Sequence, residues 1–166
     1  MRLVITLAAL WCGLAVALGA FGAHGLKSAL AKDGETPAVA SLDAFGETEA
    51  GNALKNWETG SRYHLLHGIA ALLAGGLAWV HQVRGVSRTS PSLEPAQAMK
   101  GSGKAMLAAV LFLAGSAIFS GLLYAMVLGG PRILGAIVPI GGTAMIAGWV
   151  LLAIAAWQIV GSEVAD

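Results

Sequence analysis

The sequence predicts an all-α polytopic membrane protein with four transmembrane helices and interfacial helices in the first loop. Three observations carry this. Of 166 residues, 57% are hydrophobic and only 11% charged, against about 25% charged in an ordinary soluble domain. The apolar residues are gathered into long blocks, and about 20 helical residues cross a hydrocarbon core of about 30 Å. The blocks show no polar–apolar alternation and exceed the roughly 9–11 residues of a spanning strand. Backbone groups in lipid must bond within their own segment, which makes each block a helix. A net charge of +1 supplies no basic field for nucleic acid, and the composition opposes both a disordered chain and a soluble enzyme.

Taken in order, the first block covers residues 3–21 and holds no charged residue. Arg2 ahead of it and the small-x-small string Ala15-Val16-Ala17 also fit a cleaved signal peptide. The run is longer than the roughly 7–15 residues of a signal core, and Ala9, Gly13 and Ala17 at i, i+4 and i+8 suit helix packing. A retained span is the favoured reading. Cys12 is the sole cysteine, so no disulfide or cysteine metal cluster is expected, and bulky Trp11 before it argues against lipid attachment.

The polar loop 22–62 follows. Its middle, 33–49, is too polar to bury much surface. Leu26, Ala29 and Leu30 share a face with Lys27 and Lys32 beside it, which predicts a short interfacial helix. Ala50, Leu54, Trp57 and Ser61 recur at helical spacing, so a second amphipathic helix runs into the second span, 63–80. Trp57 and Tyr63 at its start, Trp79 at its end and Trp157 late in the fourth span are expected as interfacial anchors.

Residues 82–103 contain Ser90-Pro91-Ser92 and Gly101-Ser102-Gly103, the composition of a flexible linker. The third span is 105–129. Gly129-Gly130-Pro131-Arg132 then predicts a tight antiparallel hairpin. In the fourth span, 133–160, Pro139 with Gly141 and Gly142 predicts an interruption about one third of the way along, as a kink or a short re-entrant turn before a second helix. Small-residue pairs Ser116/Ser120, Ala117/Gly121 and Ala144/Gly148 place further packing faces. Residues 1–166 read as a single membrane domain.

Arg2, Arg84, Arg88, Lys100 and Lys104 fall on the side of the termini, and Lys27, Lys32, Lys55, Arg62 and Arg132 on the other. The tie is broken by the concentration of basic residues in the shorter loop 82–103, which favours cytoplasmic termini.

His64 and His67, at i and i+3, could ligate a metal or haem iron from one helix face. A metal needs three or four ligands, and the only nearby candidates are His24 and Glu58. The plain alternative is that both imidazoles lie near the interface and meet water, headgroups or carbonyls. His24, in Gly22-Ala23-His24-Gly25, is expected in a tight turn. From there His24, Tyr63 and His67 can meet at one membrane surface, as a candidate site for haem, quinone or lipid. Arg62 could hold a lipid phosphate or the Glu58 carboxylate, while snorkelling to the interface without a specific partner is the favoured reading.

Ser116, Ser120, Tyr124 and Thr143 are expected to bond between helices. The residues expected in helix packing are Gly13, Ala17, Ser120, Gly121, Tyr124, Pro139, Gly141, Gly142 and Gly148. No phosphate loop, His-Glu-x-x-His, Gly-x-Ser-x-Gly or Cys-x-x-Cys occurs. The spans hold no acidic residue for ion coupling. No cofactor and no metal site are expected.

Several strings together carry a resemblance: Gly19-Ala20-Phe21-Gly22-Ala23-His24-Gly25-Leu26; Trp57-Glu58-Thr59-Gly60 with Tyr63 and His67; Phe119-Ser120-Gly121 with Tyr124; and Pro139-Ile140-Gly141-Gly142 with Gly148-Trp149. In this order and spacing the chain resembles the DUF423 family of small membrane proteins, which includes bacterial inner-membrane members and the eukaryotic transmembrane protein 256 group. The likeness covers nearly the whole chain apart from 33–49 and 82–103. It implies four spans, a bacterial inner-membrane location and no established activity. It brings no catalytic residues, and it adds weight to His24 and His67. Gly60, and His64 beside Tyr63, depart from residues frequent in relatives, so His64 is less of a family feature than His67.

The function expected on these grounds is a non-enzymatic accessory or structural subunit that packs in the bilayer against other membrane proteins or itself. A haem, quinone or lipid binder at His24, Tyr63 and His67 is the alternative. A small channel or permease using the Pro139–Gly142 break is a third.

Overall fold

A computed structural model describes residues 1–32, 49–87 and 95–164. Every regular element among them is helical: α1 (Arg2–Phe21), a π-helical segment (Gly22–Leu26), α2 (Lys27–Lys32), α3 (Glu49–Ser87), α4 (Pro95–Val127), a 3-10 segment (Arg132–Ala136) and α5 (Val138–Val164). Four helical stretches are long and apolar enough to span a bilayer.

The chain does not turn at His24. The backbone stays helical on both sides, with φ/ψ of −60°/−43° at Gly22 and −59°/−42° at Lys27, and one wide turn of the π type carries α1 into α2. The glycines serve contact rather than turning. Gly22 is buried under the Trp57 indole, where a Cβ would collide with the ring, and a Cβ on Gly25 would lie 2.7 Å from Phe21 Cδ2.

The amphipathic stretch before the second span is continuous with it, as its periodicity predicts, giving a helix of 39 residues. At about 1.5 Å per residue that is about 58 Å, so α3 projects well beyond a hydrocarbon core of about 30 Å. Glu58 and Arg62 pair at 3.0 Å on its exposed side.

Gly101-Ser102-Gly103 is not linker. It is helical within α4, where Gly101 lies against Ile159 (2.8 Å to Cγ1 from a Cβ placed there) and Ser102 is buried. Pro95 opens this helix, where the missing N–H is not needed. Ser90-Pro91-Ser92 lies outside the described residues.

The predicted hairpin is present. Gly130 N–H donates to Ala125 O (2.8 Å), Gly129 N–H to Met126 O (3.3 Å), and Gly129 has φ +95°. This is a Schellman ending, whose left-handed residue favours glycine. Pro131 is extended and leads into the 3-10 segment. Pro139 therefore falls in the first turn of α5, where it removes no intrahelical bond. The interruption expected at Pro139, Gly141 and Gly142 is therefore absent: the 3-10 segment lies ahead of these residues, and α5 runs unbroken through all three. An exposed Arg132–Glu49 pair at 3.2 Å joins the hairpin to the start of α3.

α3 and α4 form the central antiparallel pair, α1 packs on α3, and α5 packs on α4. Lipid supplies no hydrophobic drive between helices, so the core is made of small side chains that let backbones approach. Ala8, Ala70, Ala71, Ala74, Ala108 and Ala109 surround Phe112. The closest crossing is Gly115 on Gly141: a Cβ on Gly115 would lie 2.8 Å from Gly141 O, and one on Gly141 would lie 2.6 Å from Gly115 O.

Near the hairpin end, Leu26, Trp57 and Tyr124 form a second cluster. Trp57 is only 3% exposed, with Nε1 donating to Leu18 O at 2.8 Å. The expectation of an interfacial anchor fails for this residue because its ring is turned inward onto α1. Trp79 and Trp157 are exposed.

Candidate functional site

The polar groups gather on the inner face of α3. His64 is 1% exposed, far from the wet interfacial surroundings expected for it. Its Nδ1 lies 3.4 Å from the Tyr124 hydroxyl, and the Trp11 ring covers it at a centroid distance of 4.2 Å. Trp11 Nε1 donates to Ser116 Oγ at 3.0 Å, and Ser116 donates onward to Leu113 O at 3.2 Å. One imidazole thereby joins α1, α3 and α4. Two glycines make room: a Cβ on Gly60 would lie 3.0 Å from the Tyr124 ring, and one on Gly68 would lie 2.7 Å from Cys12 Sγ. Tyr124 and Ser116 thus bond between helices as expected. Thr143 does not; it bonds Pro139 O within its own helix at 2.9 Å. Ser120 Oγ and His64 Nε2 are buried with no partner among the described residues.

His67 is buried one turn further along and is fully engaged. Its Nδ1 is 2.9 Å from Tyr63 O. A carbonyl only accepts, so Nδ1 carries the proton and Nε2 is left to accept from Trp149 Nε1 at 3.3 Å. Tyr63 stacks on the ring at 5.7 Å and 11°, while Phe112 and Trp149 enclose it. Neither nitrogen is open to haem iron.

The structure brings Tyr63 and His67 together and keeps His24 apart. α1 runs antiparallel to α3, with Gly22 on Trp57, Gly19 near Ser61 and Cys12 on Gly68. This register puts exposed His24 about 11 residues, or about 16 Å, along the axis from the level of His67. Among the described residues no three His, Cys, Asp or Glu side chains converge on a metal position. Of the expected packing residues, Gly141 and Gly148 are buried between α4 and α5, Gly148 against Phe112, and Gly142 lies near Phe119. Gly13, Ala17, Gly121 and Pro139 face outward, and a Cβ on Gly13 or Gly121 would meet nothing within 4 Å.

Sequence reasoning missed Trp11, Trp149 and Gly115 as parts of this site. Trp149 and His67 are separated by 82 residues and Trp11 and Ser116 by 105, so only the fold pairs them. Gly115 has Leu111 and Phe119 four positions to either side, so no small-residue spacing marks it.

Four spanning helices drawn together by alanines, glycines and an inward histidine face define a polytopic helical membrane protein. The sequence matches the family model described as "Protein of unknown function (DUF423)" over residues 18–142. It is similar to the UPF0382 membrane protein YwdK of Bacillus subtilis (strain 168), 33% identical over 156 residues, which cover 94% of this chain and 97% of that protein. It is also similar to a UPF0382 membrane protein of Staphylococcus aureus (strain bovine RF122 / ET3-1), 31% identical over 161 residues, covering 97% and 100%. A Staphylococcus haemolyticus (strain JCSC1435) relative gives the same identity and coverage. The chain belongs to the DUF423 family, as the motif resemblance implied. No solved structure matches it.

Proposed function

We propose that this protein is a non-enzymatic membrane subunit that works by packing the outer face of α1 against another membrane protein or a second copy of itself. The observation that carries the reading is the division of small residues on α1. Ala8, Ala15 and Gly22 are buried within the chain, while Ala9, Gly13 and Ala17 at i, i+4 and i+8 face outward. Gly13 has no neighbour within 4 Å of its Cβ position. A stripe of this kind lets a second backbone approach closely in lipid.

The aromatic and histidine groups support the same reading, since most are spent on holding the four helices to one another. Native mass spectrometry after gentle extraction in lipid nanodiscs tests it. The wild type is expected in an assembly heavier than one chain, and Gly13→Leu is expected to shift it to the monomer. A lone monomer in the wild type would contradict the reading. The ligand-binding alternative loses His24 from its set, and the channel alternative loses a break in mid-span.

The orientation belongs to the same proposal: a bacterial inner membrane with both termini in the cytoplasm, argued from the basic residues between the second and third spans. A C-terminal reporter that is active only in the cytoplasm is expected to be active. Activity of a periplasm-only reporter at that position would reverse the orientation.

A further inference from the structure

We propose that a single water molecule, or a neutral hydrogen-bonding group of that size, binds at the centre of the α3–α4 interface between His64 Nε2 and Ser120 Oγ. Both side chains are 1% exposed, and both atoms are buried without a partner among the described residues. They lie in a segment of the chain that crosses lipid, where a polar group cannot borrow bulk water and must be satisfied internally.

The register of the helices sets the two groups at one level of the α3–α4 interface. Ser116, Ser120 and Tyr124 follow at i, i+4 and i+8, on one face of α4. His64 is bracketed by the outer two of these: Tyr124 lies 3.4 Å from its Nδ1, and Trp11, stacked on its ring, donates to Ser116. Ser120 is the residue between them, which sets it at the level of His64 along the facing helix.

The chemistry selects the guest. A hydroxyl both donates and accepts, and His64 can present Nε2 as donor or acceptor according to which way the bond to Tyr124 runs. The guest must therefore do both, which water does at the smallest size. One neutral nitrogen and one hydroxyl are too few to hold a metal ion, which takes three or four ligands. The blocks around them carry no Asp, Glu, Lys or Arg to hold a charged guest.

His67, three residues along with both nitrogens occupied, is the built-in control. The test is water-edited solid-state NMR of the full chain, labelled with nitrogen-15 at histidine, in lipid vesicles with water as the probe. Magnetisation from water is expected to reach the His64 ring several-fold more strongly than the His67 ring, with exposed His24 as the positive reference. Ser120→Ala is expected to drop His64 to the His67 level, and Ser120→Thr, which keeps the hydroxyl, to retain the transfer. Equal transfer to His64 and His67 in the wild type would overturn the proposal, as would a Ser120→Ala protein with transfer unchanged.

Discussion

Replacing Gly141 by valine is expected to separate α5 from α4 and to be among the most damaging single changes in the chain. A Cβ at this position would come within 2.6 Å of both Gly115 O and Phe119 N. Both are backbone atoms inside a helix, so neither can rotate away, and the whole of α5 must lift. Overpacking in a filled core costs about 1–3 kcal/mol where side chains can yield. With backbone on both sides, about 3 kcal/mol or more is expected. Unfolding in mixed micelles with increasing denaturing detergent reads the loss. Gly121→Val is the comparison, since nothing lies within 4 Å of that position. If both variants unfold at the same detergent fraction as wild type, Gly141 does not lie against the α4 backbone.

Trp57→Ala is the second large effect. The indole fills the junction of α1, α3 and α4, with Phe21 at a ring distance of 5.4 Å and Tyr124 at 4.6 Å. It also anchors the far end of α1 through Leu18 O. Removing a buried tryptophan costs about 3–5 kcal/mol. Trp57→Phe keeps most of the packing and removes only the hydrogen bond, so its cost is expected near 1 kcal/mol. The damage is local in kind: limited proteolysis is expected to cut the π-helical segment and α2 faster in Trp57→Ala, while the terminal end of the bundle keeps its protection. An alanine variant no weaker than the phenylalanine one would return Trp57 to the role of surface anchor.

These two residues show what the sequence makes legible and what it hides. The spans are readable because the apolar blocks leave the backbone no other way to satisfy itself, and the Gly-Gly-Pro hairpin because its chemistry is local. The continuity of α3 follows from a periodicity carried by four residues. Which way a side chain faces is a different matter. Trp57 stands in the sequence where an interfacial anchor is expected, and only its contact with Gly22, in another helical segment, reveals that it points inward. Gly101-Ser102-Gly103 has the composition of a linker and of a close helix contact alike; Ile159 across the interface settles it. His64 and His67 were visible as a pair, but their surroundings are assembled from Trp11, Tyr124 and Trp149, each on a different helix. His24 is legible as a residue and not as a place, because glycines flanking it serve a turn and a ring contact equally well.

The inner and outer faces of α1 frame the central claim. One set of small residues is used inside the chain and the other is left outward along the same helix. Site-specific photo-cross-linking in native membranes tests this most directly. A photoreactive residue at position 13 is expected to yield a discrete adduct with another protein or a second copy, whereas one at Val150, an exposed position on α5, is expected to give only lipid adducts. Lipid adducts alone at both positions would contradict a subunit that associates through α1.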